Sequence, residues 1–307
     1  MSPRRRRRTV LLAGGAAVVM GSLAVLWELS APGPPPPLPP EHVADIANGE
    51  RLFHAGSCLA CHLPGPRAAT TDPDLPAGGA AFQTPVGTFY PQNLTPDLQT
   101  GIGRWTPADF VRAMMRGISP KGEHYFPAFP YTSFRGMTVG DVLDVRAYLM
   151  TLRPIRSPEI PADVPLRWLA RRGVGLWNRL ALRHPVPIPD PGRSAVWRRG
   201  AYLVRGPGHC GECHTPRNFL MILDPDPRRA LSGAPHPAGE GHVPSLRGLV
   251  ARGRYKDAAD LALALKYGAT LGFDRLESGG MGLIQTNLGQ LPESDLQAMA
   301  AYILSLD

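Results

Sequence analysis

Apolar and polar residues follow a helical spacing in several short stretches of the chain. In two of them, residues 105–115 and 255–265, apolar side chains recur three and four positions apart, with polar residues between them. This spacing places the apolar side chains on one face, so both stretches are predicted to be amphipathic helices. A separate, wholly apolar run near the start of the chain lacks this periodicity, so it is not predicted to be an amphipathic helix.

Two further helices are predicted, one near the end of each half of the chain. Thr138 begins a Thr-Val-Gly-Asp pattern that resembles a capping box, and it leads into residues 142–152. In the second half, Ser294 precedes the amphipathic run 295–306. Serine and threonine are favoured N-cap residues, so Thr138 and Ser294 are predicted to begin these helices.

Proline makes up 35 of the 307 residues, whereas a typical share would be about 5%. So many prolines favour short helices joined by Pro-rich loops and argue against a large sheet or a coiled coil. Hydrophobic residues amount to 43% of the chain and charged residues to 19%, which is enough apolar material for ordinary cores. The composition therefore predicts a mainly α fold.

The first thirty residues are predicted to be a targeting segment. Arg4 to Arg8 precede the uncharged apolar run Val10–Trp27, which is the pattern of an exported chain. At eighteen residues the run is long for a signal peptide and just long enough to span a bilayer. An uncleaved anchor and a cleaved signal peptide both remain open, and both place the rest of the chain on the periplasmic side of the inner membrane. Outside this segment the charges nearly balance, so nucleic acid is not an expected partner.

The four cysteines form two copies of a Cys-x-x-Cys-His motif. The residues are Cys58, Cys61 and His62 in the first copy, and Cys210, Cys213 and His214 in the second. This is the attachment motif of c-type haem, in which two thiols on one helical turn bind the porphyrin and the histidine ligates the iron. Four cysteines in an exported chain would otherwise suggest two disulfides. A thioredoxin-like redox pair would not need a histidine after both copies, and a zinc site would leave the histidines unexplained, although spacing alone does not exclude it. We therefore predict two covalently bound haem c groups.

The motifs belong to an internal repeat. Residues 49–52 and 200–203 share a Gly-x-x-Leu pattern shortly before each motif, and each motif histidine is followed two residues later by a proline. The predicted division of the chain is a signal or anchor segment at 1–30, a Pro-rich tether at 31–41, a first domain at 42–153, a connector at 154–195 and a second domain at 196–307.

The sequence resembles a known family over almost its whole length beyond residue 42. Residues 199–218, which contain the second motif, are similar to the haem region of cytochrome c subunits of membrane-bound periplasmic alcohol, gluconate and nicotinate-type dehydrogenases. Residues 91–97, 100–105 and 126–133 agree with the same family. The resemblance implies two tandem class I-like cytochrome c domains, each wrapped around one haem.

The resemblance also implies a function. We expect a diheme cytochrome that passes single electrons from a periplasmic or membrane-bound dehydrogenase subunit towards the respiratory chain. The alternative is a diheme enzyme, such as a peroxidase or an oxidase of inorganic sulfur compounds, with an open first haem. No catalytic residue is assigned, because the sequence contains no phosphate loop, nucleophile elbow or paired catalytic carboxylates.

Methionine is the common second axial ligand of such a haem. Met281 lies 67 residues after His214, in a Gly-Gly-Met-Gly sequence, and is predicted to ligate the second iron. The same offset from His62 reaches Phe129, which cannot bind iron. For the first haem, Met137 is the leading candidate, although it could equally fill an apolar position before the closing helix. The other possibilities are His124, an iron that lacks a protein ligand on that side, and Met114 or Met115.

Three further interpretations are left open by the residues. The carbonyls of Pro64 and Pro216 either accept a hydrogen bond from the motif histidines or merely end the motif helices. Arg217 either pairs with a haem propionate or is a solvated loop residue. Residues 166–182 in the connector either pack against the domains or lie on anionic lipid.

Overall fold

The computed structural model describes residues 3–183, 190–224, 226–236, 241–268 and 280–306, and this part of the chain is mainly helical. The helices are α1 (Pro3–Leu29), α2 (Ile46–Ala55), α3 (Cys58–Cys61), α4 (Pro107–Arg116), α5 (Tyr131–Phe134), α6 (Val139–Leu149), α7 (Arg167–Ala181), α8 (Ala195–Arg205), α9 (Gly211–His214), α10 (Ala258–Tyr267), α11 (Gly280–Leu288) and α12 (Glu293–Leu304). Two small antiparallel pairs join β1 (Phe82–Thr84) to β2 (Gly87–Phe89) and β3 (Ala234–Pro235) to β4 (His242–Val243).

Each half contains a close crossing of two helices at a glycine. Helix α2 packs on α6, and α8 packs on α12. A Cβ atom at Gly49 would collide with the backbone carbonyl of Asp144, and one at Gly200 would collide with that of Ala298. Glycine is therefore required at both crossings, because the two backbones approach more closely than a side chain allows. This explains why the Gly-x-x-Leu pattern occurs twice.

A third helix completes the arrangement in each half. Helix α4 packs on α6, and α10 packs on α12. The buried apolar side chains form one continuous cluster that includes Phe53 and Val142 from the first half and Leu203 and Met299 from the second. The core thus extends across both halves of the chain.

The predicted N-cap of the closing helix is confirmed in the first half and is wrong in the second. Thr138 is the N-cap of α6 and its side chain accepts a hydrogen bond from the Asp141 backbone N–H, as predicted. The prediction for Ser294 is wrong, since α12 begins at Glu293 with Pro292 at the N-cap position. Proline has no N–H to satisfy and its φ angle is already restricted, so the helix begins after it without a side-chain cap.

Helix α1 is long and apolar enough to cross a membrane. Residues Thr9–Leu29 have a mean hydropathy of 2.1, and the rest of the protein buries none of their most apolar 18-residue stretch. The C-terminal end of α1 contacts α7, the helix of the predicted connector. The apolar segment is thus compatible with a signal-anchor, held to the remainder of the chain at one end.

Helix α7 packs against both halves, as the packed-connector interpretation predicts. In the first half, the Tyr131 hydroxyl donates to Asn178 Oδ1 at 2.8 Å. In the second half, the Trp177 indole N–H donates to the Leu220 carbonyl at 2.7 Å. Val174 and Gly175 are buried beneath the same side of the helix.

Candidate functional site

The two Cys-x-x-Cys pairs lie on single helical turns. Helix α3 carries Cys58 and Cys61 at its two ends, and α9 carries Cys213, with Cys210 at its N-cap position. None of the four cysteines forms a disulfide. Two unpaired thiols three residues apart on one turn present both sulfur atoms in the same direction, which is the geometry that attachment to one porphyrin requires.

The histidine of each motif is oriented by a backbone carbonyl. His62 Nδ1 lies 2.6 Å from the Gln92 carbonyl oxygen, and His214 Nδ1 lies 2.7 Å from that of Pro244. A carbonyl can only accept, so Nδ1 carries the proton in both rings and Nε2 keeps its lone pair. Within the described residues, Nε2 of neither ring has a hydrogen-bond partner, which leaves it available to a metal.

The carbonyl acceptors differ from those that the sequence suggested. Pro64 and Pro216 follow their histidines by two residues, yet the acceptors follow by 30 residues in both halves. The Pro64 carbonyl interpretation is therefore wrong, and so is that of Pro216. The equal offset means that the loop after each motif returns to its histidine in the same way.

Burial keeps both motif histidines neutral. It lowers the pKa of His62 to about 4, against the opposing effect of the Gln92 carbonyl, and it lowers the pKa of His214 below its ordinary value. A neutral imidazole with a free Nε2 is the form that ligates iron. Burial also raises the pKa of the Cys58 and Cys210 thiols to about 12. A redox-active dithiol has a lowered thiol pKa, so the thioredoxin-like alternative does not fit.

The two motifs lie next to each other across the contact between the halves. His209, which directly precedes the second motif, donates from Nε2 to the Gly56 carbonyl at 3.1 Å. A Cβ atom on Gly56 would lie 3.4 Å from Cys58 Sγ and 3.5 Å from the Pro207 carbonyl oxygen, so the segments that precede the two motifs meet at Gly56. His209 also contacts Phe134 edge to face, with ring centroids 5.5 Å apart.

A buried carboxylate ties the second motif to the first half. Glu212 lies between Cys210 and Cys213, and its side chain is 10% exposed. Its Oε1 accepts hydrogen bonds from the hydroxyls of Thr132 and Ser133, both at 2.5 Å. Arg217 Nη2 donates to Oε2 of the same carboxylate at 2.5 Å. Arg217 is thus ion-paired with Glu212 rather than a solvated loop residue, and its contact with a haem propionate stays a prediction. Sequence reasoning did not identify Glu212 at all.

Met281 lies in a helix rather than in a loop. It occupies the first turn of α11, and its side chain is half-buried. Residues 269–279, which precede this helix, are outside the described residues. Helix α11 contacts α10 in its own half, and it also contacts α2 and α3 of the first half. The ligand role of Met281 therefore stays a prediction, whereas the predicted loop around it is wrong.

Phe129, at the position where a methionine ligand was expected, lies in an aromatic cluster, and the candidate ligand Met137 lies in the core. Phe129 contacts Tyr125, Tyr131 and Phe134, with ring centroids 5.6 to 6.2 Å apart. Met137 is 5% exposed and belongs to the core cluster. Its Cγ lies 3.7 Å from the position that a Cβ on Gly206 would occupy. The packing role weighed for Met137 therefore has structural support, and its ligand role stays a prediction.

His124 is engaged by the protein through both ring nitrogens. Nε2 donates to the Ser30 carbonyl at 3.0 Å, and Nδ1 faces the Asn178 side-chain amide at 3.4 Å. A histidine that ligates iron needs one free ring nitrogen. His124 in this conformation does not provide one. Met114 and Met115 are half-buried and pack against the core cluster from α4.

The donor set of each motif fits one covalent haem c. Two free thiols on one turn are followed by a neutral imidazole whose orientation is fixed through Nδ1 and whose Nε2 is open. The same combination occurs in both halves. Among the described residues, no group of three or more His, Cys, Asp and Glu side chains forms a separate metal site.

Comparison with known proteins places this geometry in a family. The chain is 39% identical over 259 residues to a diheme cytochrome c-type protein of Cereibacter sphaeroides, covering 84% of this chain and 85% of that protein. It is 39% identical over 290 residues to a nicotinate dehydrogenase subunit of Pseudomonas putida and 34% identical over 270 residues to the fructose dehydrogenase cytochrome subunit of Gluconobacter japonicus, which cover 94% and 86% of this chain. No family model matches the chain.

The extent of these matches differs. The chain spans 24% of the length of the nicotinate dehydrogenase subunit and 53% of that of the fructose dehydrogenase subunit, whereas it covers most of the diheme protein. Identity of this level over most of both chains establishes kinship, and kinship to cytochromes c implies covalently bound haem c. The chain therefore belongs to the c-type cytochromes, in the family of the diheme cytochromes c and the cytochrome c subunits of dehydrogenases.

Proposed function

We propose that the chain is a diheme electron carrier, with one haem c at each Cys-x-x-Cys-His motif. The haems would belong to two tandem class I-like cytochrome c domains, at residues 42–153 and 196–307. The observation that carries this proposal is the repeated orientation of the motif histidine. His62 and His214 each donate Nδ1 to a carbonyl 30 residues later, which leaves both Nε2 atoms open in the same way.

When bound, each haem supplies a one-electron Fe(III)/Fe(II) couple. The chain's own residues supply attachment, orientation and a fixed environment. Cys58, Cys61, Cys210 and Cys213 hold the porphyrins covalently. His62 and His214 present a neutral nitrogen whose ring orientation is restrained by the Nδ1 hydrogen bond, so little rearrangement accompanies a change of oxidation state.

The contact between the motifs supports electron passage within the chain. The His209–Gly56 hydrogen bond joins the residue before Cys210 to the backbone two residues before Cys58. Glu212 adds a second connection, through Thr132 and Ser133 of the first half. Two haems attached on either side of such a contact would be held at a constant separation.

The proposed electron donor is a dehydrogenase. The names of the relatives refer to nicotinate and fructose dehydrogenases, and the electrons would leave towards the respiratory chain. Met281 and Met137 are the proposed second axial ligands of the second and first haem. Helix α1 would hold the protein on the periplasmic side of the inner membrane, with residues 31–41 as a tether.

Membranes that contain the full chain test this function. In membranes of the organism that produces the chain, kept anaerobic, nicotinate, fructose, gluconate or ethanol should reduce the haems. The absorbance difference between the reduced and oxidised forms measures this reduction. Membranes that carry the Cys58→Ala/Cys61→Ala/Cys210→Ala/Cys213→Ala variant are the control. Haems that stay oxidised with all four compounds would contradict a dehydrogenase donor. Carbon monoxide binding by the reduced wild-type protein would instead favour the enzyme alternative.

A further inference from the structure

Helix α7 exposes an apolar stripe and buries a polar side chain on its opposite side. Residues 166, 169, 173, 176 and 180 follow the three-and-four spacing of a single helical face. This stripe contains four leucines and Gly173, and Leu166, Leu169 and Leu180 are between 48% and 68% exposed. The opposite side, which packs on the protein, contains the polar Asn178. An exposed apolar stripe on a packed helix marks an interaction surface.

The start of α7 is also unusual for a helix in water. Leu166 occupies the N-cap position, makes no side-chain capping bond and has a φ angle of 46°. Polar residues normally cap a helix there, and the left-handed region is unfavourable for leucine. The nearby Trp168 is 65% exposed. Leucine and tryptophan at this end are typical of a helix that lies at a membrane interface.

The position of α7 brings this face to the end of the membrane helix. The Arg172 guanidinium lies 3.9 Å from the centroid of the Trp27 ring, and Arg179 Nε donates to the Leu29 carbonyl at 2.5 Å. Trp27 and Leu29 are in the last turns of α1, where a spanning segment would leave the bilayer. A helix held against those turns lies within about one helix diameter, roughly 10 Å, of the lipid headgroups.

The charge of α7 is complementary to an anionic lipid surface. Helix Arg167–Ala181 contains four arginines and no acidic residue. Basic amphipathic helices bind at the interface through their apolar face, with arginine side chains directed to lipid phosphates. All four arginines have protein partners that hold them in place. Arg167 donates to the Ala162 carbonyl, and Arg171 donates to the His124 carbonyl and forms an ion pair with Glu123. Arg172 and Arg179 contact the end of α1.

We propose that α7 lies in the membrane interface, with its exposed leucine stripe in contact with the bilayer and with anionic phospholipid headgroups beside its arginines. The proposal rests on α1 serving as a membrane anchor. Two attachments, one spanning and one lying flat, would fix the orientation of the haem-bearing part relative to the membrane.

Photo-crosslinking tests this contact with the full-length holoprotein in vesicles of phosphatidylethanolamine and phosphatidylglycerol. The variant Leu169→p-benzoylphenylalanine carries a photoreactive group on the exposed stripe, where the larger side chain meets no packed core. Irradiation followed by mass spectrometry should find phospholipid adducts. The matched control is the same replacement at Leu98, which is 60% exposed in the loop before α4 and should give none.

The variant Val18→p-benzoylphenylalanine, in α1, tests separately whether α1 contacts lipid. Adducts at positions 18 and 169 but not at 98 support the proposal. Adducts at 18 with none at 169, or with a crosslink from 169 to another protein, would overturn membrane contact by α7. Lipid adducts at neither 18 nor 169 would remove α1 from the bilayer and overturn the proposal through its premise. All three outcomes are independent of whether the haems accept electrons.

Discussion

Glu212 places a buried negative charge inside the second haem motif. It is neutralised by Arg217 and accepts hydrogen bonds from Thr132 and Ser133. Substitution by glutamine keeps the shape and much of the hydrogen bonding but removes the charge, so Arg217 is left uncompensated. A more positive environment favours the ferrous state, which carries one positive charge fewer.

Glu212→Gln should therefore raise the midpoint potential of one haem by on the order of 50 mV. A single charge in a partly screened interior contributes about 1–2 kcal/mol, and a tenfold change in a one-electron equilibrium corresponds to ~59 mV. Spectroelectrochemical titration measures both haems separately. The control is Glu41→Gln at an exposed position before α2. A lowered potential, or an equal shift of both haems, would disagree with the placement of this charge.

The axial methionines give a second prediction at this scale. If Met281 ligates the second iron, Met281→Ala should lower that haem's potential by on the order of 100 mV, because the thioether stabilises Fe(II). The weak red absorption band of a ferric haem with a thioether ligand should disappear as well. An unchanged potential together with an intact band would exclude Met281.

The matching variant, Met137→Ala, addresses the first haem. If Met137 ligates iron, one haem should become high spin and bind carbon monoxide, as ferric and CO-difference spectra would reveal. Because Met137 also packs near Gly206, thermal unfolding of the same variant measures the loss of packing separately. Two low-spin haems combined with lower stability would assign Met137 to the core alone.

The proposed attachment residues are recognisable in the sequence, because covalent attachment and iron ligation together require two cysteines and a histidine at one spacing. The acceptors of the Nδ1 hydrogen bonds could not. They are backbone carbonyls, and one belongs to a glutamine and the other to a proline, so residue type carries no signal. The loop predicted around Met281 was wrong because the flanking glycines were taken as evidence against a helix. Glycine weakens a helix interior but is tolerated in the first turn, where α11 begins at Gly280.

At the scale of the elements, glycine determines how closely the paired helices approach. Gly200 of α8 lies against the backbone of Ala298 in α12 and next to Tyr302. Gly49 of α2 occupies the equivalent place against Asp144 of α6. A methyl group at either crossing would push the two helices apart, because the atoms that it meets first belong to the backbone and not to a flexible side chain.

Gly200→Ala should lower the free energy of unfolding by about 2 kcal/mol, within the range observed for overpacked sites. Thermal unfolding of the ferric holoprotein, followed by circular dichroism, measures this change. Gly173→Ala is the matched control, since a Cβ at Gly173 meets open space. Alanine there should stabilise the helix by roughly 0.5–1 kcal/mol. Equal effects of the two substitutions would mean that the crossing is not tightly packed.

Helix positions were predictable where periodicity and a capping residue agreed. The pattern at Thr138 led to α6, and its cap is where the sequence placed it. For α12 the serine at position 294 was a misleading cap, since Pro292 already fixes the start of the helix. For α7, the apolar periodicity is clear in the sequence. Periodicity alone does not reveal that the leucine stripe points away from the protein.

At the scale of the whole molecule, the two halves are joined more extensively than two separate domains would be. His209 reaches Gly56 of the first half, and α11 contacts both α2 and α3. The His209 contact was not predictable, because its acceptor is a backbone carbonyl, and the α11 contacts were not predictable, because the sequence indicated a loop around Met281. In our account this junction sets the separation of the haems, while α1 and α7 set the orientation of both relative to the membrane.

The proposed electron path depends on two covalent haems, one at each motif. Denaturing electrophoresis with haem staining and the haem content of the purified full chain both measure their number. Wild type should contain two haems per chain, and Cys58→Ala/Cys61→Ala and Cys210→Ala/Cys213→Ala should each contain one. The quadruple variant should lose the stain completely. One haem in the wild type, or staining that survives the loss of all four cysteines, would contradict the account.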